Sequence, residues 1–103
     1  MKEIVIDKIK QLLKQNMPAD GKAYLYGSRA TGEAHEGSDW DILVILNKDD
    51  ILPEDYDKII YPLTELGWET NEYINPVIYT AKEWEECKTT PFYNIMKDAI
   101  ALV

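Results

Sequence analysis

Two aspartates separated by one residue are the strongest candidates for catalysis or metal binding in this chain. Asp39 and Asp41 open the run DWDILVIL, which otherwise has the composition of a buried strand. Side chains two apart on a strand share one face, so both carboxylates would point to the same side. Two unit charges about 4 Å apart repel by up to roughly 4 kcal/mol at an effective dielectric near 20, so such a pair favours a cation or a shared proton. Mg²⁺ fits this pattern, because it binds one or two carboxylates and takes further oxygens from substrate phosphates.

A glycine–serine pair upstream is a candidate site for those phosphates. Gly27 lets the backbone approach a ligand closely, and the amides that follow it, with the Ser28 hydroxyl, are placed to donate to an anion. Arg29 adds a fixed charge for the same phosphates or for a second substrate. Gly32 and Gly37 allow the intervening chain to turn back. We therefore predict that metal and phosphate share one cleft.

Each of these features also has a purely structural interpretation. Gly27 and Ser28 would serve as a simple strand exit, Arg29 as a solvated cation, and Ser38 with Asp39 as a turn or cap. The combination favours a ligand-binding site, because it places a glycine–serine turn and a pair of aspartates at the ends of two neighbouring strands.

The stretch GSRATGEAHEGSDWDILVIL, about a fifth of the chain, resembles the signature of the nucleotidyltransferase superfamily that includes DNA polymerase β. The short length resembles the minimal nucleotidyltransferases of that superfamily. The resemblance implies a palm-like fold in which Gly27 and Ser28 bind the triphosphate of a nucleoside triphosphate. It further implies that Asp39 and Asp41 are the catalytic residues and hold two Mg²⁺ ions. A nucleoside monophosphate, AMP in the first instance, would then pass to a hydroxyl acceptor with release of pyrophosphate.

The superfamily usually has a third carboxylate on a neighbouring strand, and this chain departs from that pattern. The corresponding run, ETNEYINPVIYT, offers Asn75 and Val77 at its centre. Glu72, near its start, is the candidate third acid if the strand register brings it to the aspartates; its alternative is an exposed glutamate at a sheet edge. Two functions therefore stay open: a Mg²⁺-dependent transferase, or a noncatalytic nucleotide- or partner-binding module that retains the fold.

The resemblance also implies a protein partner. Minimal nucleotidyltransferases are often paired with a small helical HEPN protein as the antitoxin of a toxin–antitoxin pair, and some transfer AMP onto a tyrosine of the toxin. Homo-oligomerisation is also compatible with the sequence, because three tryptophans and seven tyrosines are a large aromatic content for a chain of this size.

Composition narrows the remaining classes of function. The chain has 19 acidic and 11 basic residues and a net charge of −8, which argues against broad nucleic-acid binding. A single cysteine, Cys87, excludes an internal disulfide and suits a reducing compartment. The sequence has no apolar run near the roughly 20 residues of a membrane span. We therefore expect a cytoplasmic protein without a membrane segment.

Hydrophobic spacing predicts the elements that must position the site. An amphipathic helix should end near Pro18, and the runs 23–26 and 41–46 should be strands, the second of them central. A helix following Pro53 should be kinked or split at Pro62 and should stop at Gly67.

The C-terminal third is predicted to hold a strand and two helices. The strand 73–79 should lie at an edge or carry a bulge, because Pro76 cannot donate to a ladder. Thr80 and Glu83 have the spacing of a capping box, and Thr90 with Pro91 should open a last helix. That helix is predicted to bury Phe92, Ile95, Met96, Ala99 and Ile100. The order of elements favours a single α+β domain over residues 1–103, with a small mixed β-sheet flanked by helices.

Overall fold

A four-stranded mixed sheet organises the computed structural model, which describes residues 2–35 and 37–103. The strands are β1 (Lys22–Tyr26), β2 (Trp40–Leu46), β3 (Ile74–Thr80) and β4 (Ile100–Ala101). Their order in the sheet is β3-β2-β1-β4; β1 runs antiparallel to β2 and β4, and β2 runs parallel to β3. The predicted α+β fold with a small mixed sheet is confirmed, and β4 is an addition to it.

Short helical segments connect and cover these strands. The α-helices are α1 (Lys2–Asn16), α2 (Ser28–Thr31), α3 (Pro53–Asp55), α4 (Tyr61–Thr70), α5 (Ala81–Glu86) and α6 (Pro91–Ile95). A π-helical turn, Tyr56–Ile60, joins α3 to α4, and 3-10 turns at Cys87–Thr89 and Met96–Asp98 follow α5 and α6. Within residues 2–35 and 37–103, no helix is both long and apolar enough to cross a membrane.

The strand β2 is central because both of its faces are covered. Ile42 and Val44 are fully buried on one face, in a cluster that includes Ile9 of α1 and Leu63 of α4. Leu43 lies on the other face, in a second cluster with Ile45 and Tyr26. A strand covered on two faces requires a continuous apolar sequence, which explains the run ILVIL.

The strand β3 lies at a sheet edge, as Pro76 predicts. Pro76 is level with Ile42 of β2, and the proline has no N–H to offer a further strand. The predicted capping box then starts α5: the Glu83 amide donates to Thr80 Oγ1 at 3.1 Å, and the Thr80 amide donates to Glu83 Oε1 at 2.9 Å. This edge places Asn75 beside the first residues of β2.

The predicted helix stop at Gly67 is wrong. The helix α4 continues to Thr70 and ends at Asn71, which has a positive φ of 56° and donates its amide to the Gly67 carbonyl. Gly67 is buried, and a Cβ at this position would lie 2.9 Å from the Glu72 carbonyl oxygen. The glycine therefore allows the chain to fold back closely against the helix on its way to β3.

The predicted interruption at Pro62 is a change of helix type. The π-helical turn Tyr56–Ile60 ends where α4 begins, so Pro62 falls within the first turn of α4. The helical backbone is continuous through this point, because the Tyr61 amide donates to the Tyr56 carbonyl in the π-helical pattern. Pro62 has no N–H to donate to the preceding turn, and the change of helix type accommodates the proline without ending the helix.

The predicted last helix is much shorter than its hydrophobic pattern indicates. The helix α6 covers Pro91–Ile95 only, and Ile100 lies in β4 with 45% of its surface exposed. Met96 and Ala99 do pack on the second face of the sheet, whereas the side chains of Phe92 and Ile95 lie outside the described part of the chain. The free edge of β1 explains the difference, because it offers backbone partners to a passing segment.

The close packing at Gly67 predicts that alanine at this position lowers the stability of the protein, the opposite of its usual effect in a helix. Gly67→Ala should destabilise the protein by about 1–3 kcal/mol, because the new methyl group meets a backbone oxygen that cannot move aside easily. In an ordinary helix interior the same change would stabilise by roughly 0.5–1 kcal/mol. Urea unfolding measures the sign, with Glu65→Ala on the exposed side of α4 as the matched control. A stabilised Gly67→Ala variant would contradict the close approach.

Candidate functional site

Asp41 lies in the middle of a row of three residues on neighbouring strands. It pairs with Tyr26 of β1 on one side and with Asn75 of β3 on the other. Residues directly opposite one another in a sheet share a face, so the three side chains project to the same side. The Asn75 amide donates from Nδ2 to Asp41 Oδ1 at 3.3 Å. The row joins a carboxylate, an amide and a phenol at one end of the sheet.

Gly27 brings the predicted phosphate turn against this row. Its φ of 77° is in the left-handed region, and a Cβ at Gly27 would lie 2.5 Å from Asp41 Oδ2. The carboxylate therefore occupies the space that any side chain at residue 27 would need. The Gly27 carbonyl accepts the amide of Ala30 at 3.0 Å, which turns the chain directly into α2. The glycine–serine turn and the aspartate are thus in contact through backbone and carboxylate.

Asp39 lies just before β2 and is exposed to solvent. Three influences act on the pKa of Asp41: burial raises it most, the hydrogen bond from Asn75 lowers it, and the charge of Asp39 raises it. The net shift is upward from the ordinary value of an aspartate. The aspartate pair therefore carries the mutual repulsion that its spacing predicts, and a cation would relieve it.

Tyr26 places a neutral phenol beside Asp41 at this end of the sheet. Burial raises the pKa of its phenol, and the charge of Asp41 and the presence of Tyr79 raise it further. The phenol consequently stays protonated at neutral pH beside the carboxylate. Sequence reasoning missed this residue, although its position directly before Gly27 at the end of a strand was a usable signal.

Arg29 has other partners than the predicted phosphates. Only 4% of its side chain is exposed. Its Nη2 and Nε both donate to the Ser38 carbonyl, at 2.9 and 3.3 Å, and its Cζ lies 4.4 Å from the centre of the Trp40 ring. In this arrangement the guanidinium binds protein groups on both sides of Asp39.

Glu72 lies with Arg29 and does not join the aspartates. Its Oε2 is 3.8 Å from Arg29 Nη2. In the parallel register of β2 and β3 the residue level with Asp41 is Asn75, three positions further along the chain. Within the described ranges, 2–35 and 37–103, no group of three or more His, Cys, Asp or Glu side chains could hold a metal ion. The place expected for a third acid is therefore filled by an amide.

The donor set fits a hard cation that brings ligands of its own. Asp39 and Asp41 supply carboxylate oxygens, and Asp41 is seated where a phosphate bound at the Gly27 turn would lie nearby. Mg²⁺ commonly binds through one or two carboxylates, waters and substrate phosphates. The side chains suit a metal–nucleotide complex better than a permanent metal held by protein alone.

The family model described as "Nucleotidyltransferase domain" matches residues 6–95. A crystal structure of a toxin–antitoxin with AMP-PNP is 22% identical, with a TM-score of 0.62 over 95% of this chain and 72% of that one. A crystal structure of a mutant of the toxin–antitoxin MntA–HpeT is 20% identical, with a TM-score of 0.61 and the same coverage of the two chains. No curated protein matches significantly. At these identities the two structures establish a shared fold.

The raised pKa of Asp41 predicts how the stability of the metal-free protein depends on pH. A carboxyl whose folded-state pKa is raised stabilises the fold below its unfolded pKa of about 4, and this contribution is lost as the pH rises through the folded value. Asp41→Asn should therefore raise the unfolding temperature at pH 7, and the gain should shrink toward zero near pH 4.

Thermal unfolding across this pH range measures the effect. Asp49→Asn, an exposed residue after β2, controls for the general relief of a net charge of −8. Equal gains from the two substitutions at pH 7 would show that the environment of Asp41 has no special effect.

Proposed function

This chain belongs to the nucleotidyltransferase domain family, since the family model spans residues 6–95, and we propose that it transfers AMP from Mg²⁺-ATP to a hydroxyl acceptor. The observation that supports this most directly is the Asp41 carboxylate seated on the Gly27 backbone. It places one carboxylate of the acidic pair against the turn that is proposed to bind phosphate, and nucleotidyl transfer needs both parts side by side.

The roles of the chain's own residues follow from this arrangement. Gly27 and Ser28 would hold the β- and γ-phosphates through backbone amides and the serine hydroxyl. Asp39 and Asp41 would hold Mg²⁺, one or two ions with the nucleotide bound. The metal would supply charge neutralisation and alignment of the attacking and leaving oxygens. Burial is the main cause of the raised pKa of Asp41, and a bound cation would offset the smaller contribution from the charge of Asp39.

The proton of the acceptor hydroxyl needs a destination outside this set. Asn75 occupies the position next to Asp41, and an amide cannot take up a proton at neutral pH. The proton would therefore go to water or to a carboxylate of a bound partner.

We propose a partner protein that completes the site, in the manner of an antitoxin bound to its toxin. The two solved structures compared above are described as toxin–antitoxin structures, one of them with AMP-PNP. A small helical HEPN-type protein is the proposed partner, and a tyrosine on it is the proposed acceptor.

A noncatalytic nucleotide-binding module is the second candidate function. It is favoured by one observation: Asn75 donates to Asp41 where a third carboxylate is expected, while Glu72 is paired with Arg29. In this alternative the bound nucleotide would shape a surface for the partner, and no phosphate bond would break.

Nucleotide binding is tested by thermal unfolding with and without Mg²⁺ and each of the four ribonucleoside triphosphates. Ligand at 100 times its dissociation constant should stabilise by about 2.7 kcal/mol, which is a shift of roughly ten degrees or more for a domain this size. The double variant Asp39→Asn, Asp41→Asn should fold in the absence of metal and lose the Mg²⁺-dependent shift. A wild-type protein that no nucleotide stabilises, alone or with a toxin partner, would contradict both functions.

The two functions are separated by restoring a carboxylate at residue 75. Under the transferase hypothesis Asn75→Asp should raise the rate of pyrophosphate release about tenfold or more, because positioned bases typically contribute 10²–10⁴-fold. Asn94→Asp, which adds the same charge on the exposed side of α6, is the matched control.

The wild-type rate then decides between the functions. Measurable transfer by the wild-type protein establishes an enzyme. If only Asn75→Asp releases pyrophosphate, the natural chain is the binding module.

A further inference from the structure

We infer that Arg29 is a positioning residue, which fixes Asp39 relative to the Gly27–Ser28 turn and does not itself bind phosphate. The inference rests on the proposed function, because it concerns the same site. It reverses the role that the sequence alone indicates for this arginine, and four sets of contacts support it.

The first contact holds the residue before Asp39. Both Nη2 and Nε of Arg29 donate to the Ser38 carbonyl, at 2.9 and 3.3 Å. Two donors of one rigid guanidinium on a single oxygen restrict both the position and the direction of that peptide group. Ser38 is thereby tied to the first turn of α2.

The second contact holds the residue after Asp39. The guanidinium carbon lies 4.4 Å from the centre of the Trp40 ring, within the range of a cation–π interaction. Trp40 is buried, and its indole Nε1 has no hydrogen-bond partner among the described residues. The orientation of the ring therefore depends on packing and on the arginine above it.

The third contact offsets part of the cost of the buried charge. Glu72 Oε2 lies 3.8 Å from Arg29 Nη2, too long for a strong hydrogen bond but close enough for electrostatic attraction. Because only 4% of the arginine side chain is exposed, a charge without such partners would be costly. An arginine engaged in this way has little surface left for a phosphate.

The fourth contact connects Trp40, which packs under the guanidinium of Arg29, to the neighbouring strand of the sheet. The Trp40 amide donates to the Tyr73 carbonyl at 2.7 Å, next to the parallel pairing of β2 and β3. Arg29 directly follows Gly27 and Ser28, and its side chain reaches both neighbours of Asp39. An exposed carboxylate such as Asp39 takes its position from its neighbours, so the arginine sets its distance from the turn. Such preorganisation matters, because a displacement of about 1 Å in a site can cost 10²-fold in rate.

Lysine should not replace this arginine. Its ammonium is a compact, strongly hydrated charge that cannot form the fork or stack its plane on an indole. A phosphate-binding role, in contrast, is one that lysine commonly fills. The conservative substitution therefore distinguishes the two roles.

The test compares wild type with Arg29→Met and Arg29→Lys; Lys14→Met, an exposed cation at the end of α1, is the matched control. Amide hydrogen exchange of the metal-free proteins is measured first. Exchange of the Trp40 amide should accelerate about tenfold or more in both Arg29 variants and should not change in the control. Arg29→Lys keeps the test valid if Arg29→Met does not fold. Unchanged exchange at Trp40 would overturn the inference, whatever the nucleotide does.

Binding of Mn²⁺ alone, followed by electron paramagnetic resonance, is measured second. If Arg29 positions Asp39, the affinity for the bare ion should fall about tenfold in both variants. If Arg29 binds phosphate directly, Mn²⁺ affinity should stay at the wild-type value and only nucleotide affinity should fall, which would overturn the inference. A wild-type protein that binds neither Mn²⁺ nor nucleotide would contradict the proposed function; the exchange rates would then decide the role of Arg29 by themselves.

Discussion

The contact between the Asp41 carboxylate and the backbone of Gly27 is the constraint on which the site depends. A Cβ at residue 27 would lie 2.5 Å from Asp41 Oδ2, so only glycine leaves room for the carboxylate. The register of β1 and β2, in which Tyr26 is level with Asp41, produces this contact. The other residues of β2 are apolar, so this central strand must be covered on both faces. Fold and site therefore share one strand pairing.

Charge is distributed around this contact in a way that suits a ligand arriving with its own cation. Burial, most strongly, and the charge of the neighbouring Asp39 raise the pKa of Asp41, so a cation bound beside this carboxylate would favour its ionised form. The guanidinium of Arg29 is directed to Ser38, Trp40 and Glu72 and makes no ion pair with either aspartate among the described residues. Under the proposed function, the acidic end of the sheet would bind a metal–nucleotide complex, while Arg29 would hold the geometry around Asp39.

The amide at residue 75 makes this site different from a complete catalytic set. Asn75 holds Asp41 through a hydrogen bond but offers no group to accept a proton. If the chain is a transferase, as proposed, a partner or water must take up the proton of the acceptor. The proposed partner could supply the acid that residue 75 lacks, so catalysis would depend on assembly with that partner.

Local sequence patterns were sufficient to predict the central apolar strand, the edge strand marked by Pro76, and the capping box of Thr80 and Glu83. They also predicted that an aspartate lies beside the glycine–serine turn, as Asp41 does. These follow from backbone geometry and from alternation over a few residues. The partners of residues that are far apart in sequence depend on the packing of the whole domain. Arg29 and Glu72 are 43 positions apart, and only the parallel register of β3 brings them together. Gly67 has the local pattern of a helix stop, but it is required because the returning chain packs closely against the helix. Ile100 lies in β4 because the edge of β1 offers backbone partners. Such contacts depend on packing between distant segments, which a local pattern does not record.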